Sequence, residues 1–143
     1  MAKFLITDVK VVVNNVNLSD HADSVDTPAE SEQIEVSAFS PSRTREFLPG
    51  LAEQTIEIEF LQDFAAGKVH ATLYPLYSGG SSFPMFVQPD SDAGTSSTNP
   101  IFGGTAVLFS YNGLSGGLND PSKMTATFKP AANATFAWGT VAP

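Results

Sequence analysis

The 143-residue chain is long enough to bury one hydrophobic core and too short for two of ordinary size. Its 15 Asp+Glu against 7 Lys+Arg leave a formal net charge of −8, which argues against a basic face that gains affinity by neutralising phosphates. Apolar residues at 42% exclude low-hydrophobicity disorder, and the lack of cysteine excludes disulfides, thiolate metal sites and cysteine nucleophiles.

Near the start, Phe4, Leu5 and Ile6 form an apolar run too short for the core of a secretory signal. No stretch approaches the roughly 20 apolar residues of a membrane helix. The expectation is synthesis in the cytoplasm and no membrane association. Short β-branched runs punctuated by 11 Gly and 10 Pro predict a mainly β fold, about seven strands flanked by one helix. The first strand is expected over 9–16, where Val dominates until Asn14 and Asn15. Residues 20–32 carry five carboxylates, no Lys or Arg, and Pro28, which predicts a solvated loop. Alternation over 33–38 puts Ile34, Val36 and Ala38 on one strand face and Gln33, Glu35 and Ser37 on the other.

Residues 39–53 hold Pro41, Arg43, Arg45, Glu46, Phe47, Leu48, Pro49 and Gly50. They predict a long loop with an apolar and charged tip, suited either to docking on another subunit or to folding back over its own core. Alternation returns over 55–60, with Ile56, Ile58 and Phe60 inward and Thr55, Glu57 and Glu59 outward. A helix is expected over 64–74: Asp63 would cap it, Ala66, Val69, Leu73 and Leu76 give its apolar spacing, and Pro75 and Gly79-Gly80 end it. Strands follow over 83–87, 105–112, 124–129 and 134–138, with a polar loop over 89–100. Nothing divides the chain, so residues 1–143 are read as a single domain.

Catalytic motifs fail on their spacing. Gly113-Leu114-Ser115-Gly116-Gly117 has the letters of a nucleophile elbow, but both histidines, His21 and His70, precede Ser115, and Pro121 falls where a helix should begin. A turn is the reading. Asp90-Ser91-Asp92 opens like a calcium loop, yet Ile101 occupies the twelfth position where Glu is needed. His21 and His70 lack a spaced third ligand for zinc. Glu57 and Glu59, with Glu35 if its strand is a neighbour, could form a carboxylate pair, but their flanking residues are polar and a hydrated acidic surface fits better. No catalytic residue, metal ligand or cofactor is expected, and the chain is not read as an enzyme.

The order of features carries more information: a Val-rich strand ending in Asn17-Leu18-Ser19-Asp20-His21, an alternating strand, then a long loop closing in Leu48-Pro49-Gly50-Leu51. Gln54-Thr55-Ile56-Glu57-Ile58-Glu59-Phe60 follows, then the helical segment from Ala65 to Leu76 and the strand from Phe83. This order resembles the major tail protein, or tail tube protein, of long-tailed bacteriophages. The resemblance implies a small β-sandwich or half-barrel flanked by one helix, and hexameric rings that stack into a hollow tail for genome ejection. It implies a location in the virion, without the C-terminal decoration domain that some members carry. Implied partners are further copies of the chain and the tail-tip, tape-measure and terminator proteins, with DNA in transit without specific binding. On this reading Glu35, Thr55, Glu57 and Glu59 face the lumen, and Arg43, Arg45, Glu46, Phe47 and Leu48 form an inter-ring contact. Two alternatives stay open: another phage particle protein, such as a tail terminator or head decoration, and a β-sandwich carbohydrate-binding module using Trp138, Tyr74, Tyr77 and Tyr111. Those aromatics fall at core-like positions, which favours packing over sugar stacking.

Overall fold

Strict apolar alternation in residues 56–60 becomes, in the computed structural model, a strand whose inward side chains are completely buried. Ile56, Ile58 and Phe60 have no exposed surface. The model describes residues 8–39 and 43–143. In chain order these form β1 (Lys10–Val13), β2 (Val16–Asn17), a 3-10 turn (Ser19–His21), β3 (Ala22–Asp26), β4 (Ala29–Glu35), β5 (Phe47–Gln54) and β6 (Ile56–Leu61). Then come α1 (Val69–Gly79), β7 (Phe83–Gln88), β8 (Ile101–Tyr111), β9 (Lys123–Pro130) and β10 (Ala137–Gly139). Among the described residues the architecture is mainly β with one α-helix, as expected, though the strands number ten rather than seven.

Eight strands make one antiparallel sheet in the order β2-β1-β7-β8-β9-β6-β3, with β10 beside the start of β8. Val9, just before β1, and Val25 of β3 line the same small cavity although their strands lie toward opposite ends of that order. The sheet therefore curls into a half-barrel. Its concave face is the core: Val11 and Val13, Met85, Ala106, Phe128, Ala126 and Met124, and the inward face of β6, joined by Val69 and Leu73 of α1. Each large side chain buried there contributes about 1.5–3 kcal/mol.

Several expectations are corrected. The first strand breaks in two at Asn14 and Asn15, whose φ values of 49° and 65° make the left-handed pair of a tight hairpin turn. Residues 20–32 are not a solvated loop. Val25 packs against the core, β3 pairs with β6, and four of the five carboxylates are carried on β3 and β4, with Asp20 in the 3-10 turn. The second half of the segment 39–53 is likewise a strand, β5, paired with β4 from Ala29↔Gln54 to Glu35↔Phe47. Local composition hid these strands because carboxylates, Pro28, Pro49 and Gly50 are tolerated at edges that face water.

The helix begins later and ends later than its sequence pattern suggests. Gly67 has φ 73° and interrupts any helix through 64–68, and Asp63 accepts the Ala65 N–H at 2.9 Å instead of capping α1. Pro75 sits inside α1. Ala71, whose carbonyl loses its partner to that proline, is exposed and open to water. Gly80, at φ 64°, closes the helix by donating its N–H to Leu76 O at 3.2 Å. Residues 113–117, expected to be a turn, are irregular chain with Gly116 at φ 141°, and the turn falls just after them at Leu118 and Asn119.

Gly103 marks where β7 and β8 approach closely. A Cβ there would run into the Met85 carbonyl and the Phe86 backbone, neither of which can swing aside. Gly103→Ala is expected to lower stability by about 2–3 kcal/mol, read as a shift in the urea midpoint at unchanged slope.

Candidate assembly surfaces

The β4–β5 ribbon is a separate two-stranded sheet that leaves the half-barrel at β6. Every residue of β4 is exposed, as are six of the eight in β5. Ile34 pairs across from Leu48 on one face, and Phe47, opposite Glu35, lies on the other, so both faces offer apolar surface to water. The ladder continues beyond the strands where the Val36 N–H donates to Glu46 O at 2.9 Å. Arg43, at φ 55°, and Arg45 stand at the tip. Arg45 reaches Glu35 at 3.9 Å, a loose contact between exposed groups.

The root of the ribbon is fixed. The Gln54 amide donates to Phe136 O at 2.7 Å and accepts the Phe136 N–H at 2.9 Å and the Thr135 hydroxyl at 2.7 Å. Beside it Lys129 Nζ donates to Glu53 at 2.9 Å. That ion pair and the Gln54 bonds hold the ribbon to β9 and to the segment leading into β10.

On the convex side of the sheet, cross-strand register brings Asp26, Glu57 and Thr127 into one row and Ser24, Glu59 and Thr125 into the next. Lys123 lies at the end of this face, 3.1 Å from Asp23 and 3.4 Å from Glu59. Its hydrogen bond to Asp23, then the Asp23 and Glu59 charges, hold its pKa above the ordinary value. The cations bordering this face are thus neutralised by carboxylates.

His21 joins two elements. Its Nδ1 lies 2.9 Å from Asp20 Oδ1 and its Nε2 2.9 Å from Asp63 Oδ2, so the protonated ring donates to both and ties the 3-10 turn to the approach of α1. Partial burial works against the charge. The hydrogen bonds to Asp63 and Asp20 and their negative charges outweigh it, and the imidazole pKa is raised. Asp20 is lowered by its bond from His21, and Asp63 first by the Ala65 N–H and then by His21.

No protein-family model and no curated protein matches the sequence. Solved structures do match its backbone. A chain in the tail of an empty gene transfer agent particle with C6 symmetry aligns at TM-score 0.68 and 14% identity, over 92% of this chain and 93% of the other. The SPP1 tail tube aligns at TM-score 0.69 and 12% identity, over 95% of this chain and 78% of the other. This is the tail-tube fold. A chain of the extended PVC sheath-tube complex, an extracellular contractile injection system, aligns at 0.69 and 15% identity, over 98% and 93% of the two chains. Identities this low make the likeness one of fold.

On the tail-tube fold the expected site residues separate into groups. Glu57 and Glu59 share the convex face, but Thr55 is buried at the corner between β5 and β6, where its N–H donates to Pro28 O at 3.1 Å. Glu35 is not on a neighbouring strand. It sits at the far end of the ribbon beside Arg45, because β6 takes β3 and β9 as neighbours. Arg43, Arg45, Glu46, Phe47 and Leu48 do come together, at the ribbon's end. Ile34 and Val36, expected on one apolar strand face, are 44% and 41% exposed because their strand pairs away from the half-barrel.

Tyr74, Tyr77 and Trp138 are about half exposed rather than packed inside. Tyr74 stacks on His70 at 5.2 Å, His70 Nδ1 lies 2.6 Å from the Tyr111 hydroxyl, and Trp138 covers Phe102 at 4.8 Å. Asp90 and Asp92 are joined by Asp8, with one carboxylate oxygen of each within 4.8 Å of the others. The Asp92 hydrogen bond, then slight desolvation and the Asp92 and Asp90 charges, raise the Asp8 pKa. Asp8 is distant in sequence, and register alone brings it there.

The His21 bridge sets a pH window. Because the folded His21 pKa is raised, its contribution is complete below the ordinary value near 6.5 and disappears as pH climbs through the folded value. Because Asp20 and Asp63 are lowered, theirs is complete above about 3.8 and disappears as pH falls through their folded values. Stability from this bridge should therefore peak between about pH 4 and 6.5 and decline as pH rises above that window. His21→Asn should flatten that decline in urea midpoints measured across pH 4.5–9.

Proposed function

We propose that the chain is the structural subunit of a tail tube, polymerising as stacked, six-fold rings around a hollow bore in a virion. The observation that carries this reading is the β4–β5 ribbon on a tail-tube fold. A two-stranded hairpin with apolar groups on both faces is marginal in water by itself, and a neighbouring subunit supplies the surface it lacks. The C6 symmetry of the gene transfer agent tail supports the ring size. Tail-tip, tape-measure and terminator proteins complete the particle in this reading, and the single-domain chain supplies the tube wall.

The convex acidic face, with Glu57 and Glu59 at its centre, lines the bore. Its hydroxyls and carboxylates offer phosphate no lasting partner, since Lys123 and Lys129 are already paired. DNA therefore passes without being held. Glu35 belongs to the ribbon contact, beside Arg45, and Thr55 serves the corner.

Purified protein, alone or with a tail-tip initiator, should give stacked rings with a hollow centre in negative-stain micrographs. Monodisperse monomers persisting with the initiator present would count against the tube. Phe47→Ala with Leu48→Ala should weaken stacking by on the order of 100-fold while leaving the urea midpoint within about 0.5 kcal/mol. Hydrogen exchange in the ribbon should slow on polymerisation; equal protection in monomer and polymer would place its contacts within the subunit.

Particles carrying Glu57→Lys and Glu59→Lys should build tails of normal length, because strand alternation is untouched. They should release DNA more slowly at low salt, with the defect easing as salt screens the attraction. Unchanged release at low salt would remove these two residues from the bore.

A further inference from the structure

The ribbon tip has apolar and cationic groups without adequate partners, and a second place on the same chain has the opposite character. A cavity of about 140 Å³ is lined by the apolar side chains of Val9, Val25, Val87, Pro89 and Trp138 and by the polar residues Thr27 and Gln88. A cavity near 150 Å³ can hold a benzene ring, so there is room for one large apolar side chain. Trp138 packs on Phe102 yet remains 57% exposed, leaving indole surface open.

Asp8 lines an adjoining depression that shares Val9 and Val25 with this cavity, and Asp90, next to Pro89 in the chain, and Asp92 cluster with it. No described Lys or Arg forms an ion pair with them. At the ribbon tip, Phe47 and Leu48 are 49% and 56% exposed, and Arg45 has its loose 3.9 Å contact. Lys123 and Lys129, by contrast, are held by carboxylates at 3.1 and 2.9 Å. Apolar groups flanked by arginines thus have a counterpart in an apolar cavity flanked by carboxylates.

We propose that the ribbon tip of one copy docks in the Trp138 cavity of a second copy, Leu48 entering it and Arg43 and Arg45 meeting Asp8, Asp90 and Asp92. The inference rests on the tube reading and names the surface that receives the ribbon. The contact is between copies. The ribbon root lies beside Thr27, and the seven residues of β4, at about 3.3 Å each, carry the tip roughly 20 Å from its own cavity. Two different patches meeting head to tail also leave each copy with a free tip and a free cavity until a ring closes or a stack ends.

The cysteine-free sequence allows a direct test. Chains bearing Leu48→Cys are mixed with chains bearing Thr27→Cys, assembled, gently oxidised, and examined by non-reducing electrophoresis and electron microscopy. A disulfide requires the two Cα atoms within about 7 Å. Hollow tubes with a disulfide-linked heterodimer, at least about tenfold above either variant alone, are expected from docking at this cavity. Adding Arg43→Glu and Arg45→Glu to the first chain should slow cross-linking by about tenfold or more at low salt. Asp8→Lys with Asp92→Lys on the second chain should restore it. Hollow tubes without the heterodimer, a heterodimer indifferent to both charge reversals, or equal cross-linking of Leu48→Cys to Tyr77→Cys on α1 overturn the docking while the tube stands. Failure of every chain, including the wild type, to form tubes with an initiator overturns both.

Discussion

The carboxamide of Gln54 couples the ribbon to the rest of the molecule. Its nitrogen and oxygen satisfy the carbonyl and the amide of Phe136 at once, as a neighbouring strand would. Phe136 is itself buried, edge-on to Phe102. Removing a partner from bonded groups in such a place costs about 1–3 kcal/mol for each group left unsatisfied. More important is direction. The amide sits at the hinge of a ribbon with no core of its own, so it converts a floppy hairpin into an arm with a fixed angle of departure. The same peptide leads into β10 and Trp138, so one side chain positions both the arm and the wall of the cavity proposed to receive an arm.

The half-barrel was legible in the sequence wherever one strand face is buried. Alternation in 56–60, the β-branched run at 11–13 and the apolar spacing of Val69 and Leu73 all survive in the core. What failed to show locally was structure held by distant partners. The segment from Asp20 to Glu32 looks like solvated loop because a strand at a sheet edge can be polar nearly throughout; β3 exists because β6 pairs with it. Phe39 to Glu53 looks like loop because Pro49 and Gly50 break local propensity, yet β5 has its ladder with β4. The helix boundaries moved for backbone reasons, Gly67 at one end and Gly80 at the other, and nothing in apolar spacing reports the sign of φ.

The candidate surfaces were legible to a similar degree. Arg43 through Leu48 cluster because they are contiguous, and Glu57 with Glu59 because a strand repeats every two residues. Glu35 was misplaced because its pairing partner was invisible, and Thr55 because a chain corner suspends the alternation that governs the strand after it. The His21 bridge and the Asp8 cluster depend on contacts across the fold, which register creates and composition cannot reveal.

An arm with apolar groups on both faces is a hazard on any free copy of the chain. Two free copies meeting at random present unpaired strand edges to each other, the usual beginning of disordered aggregation. The net charge of −8 acts in the opposite sense, since free copies repel at distances comparable to the screening length. Random pair encounters are thereby discouraged, while in the proposed tube a growing end, where one arrival makes several contacts together, would overcome the same repulsion. On that reading acidity works as a kinetic filter that favours growth at ends over new beginnings, and tube length would then be set by where assembly is allowed to start.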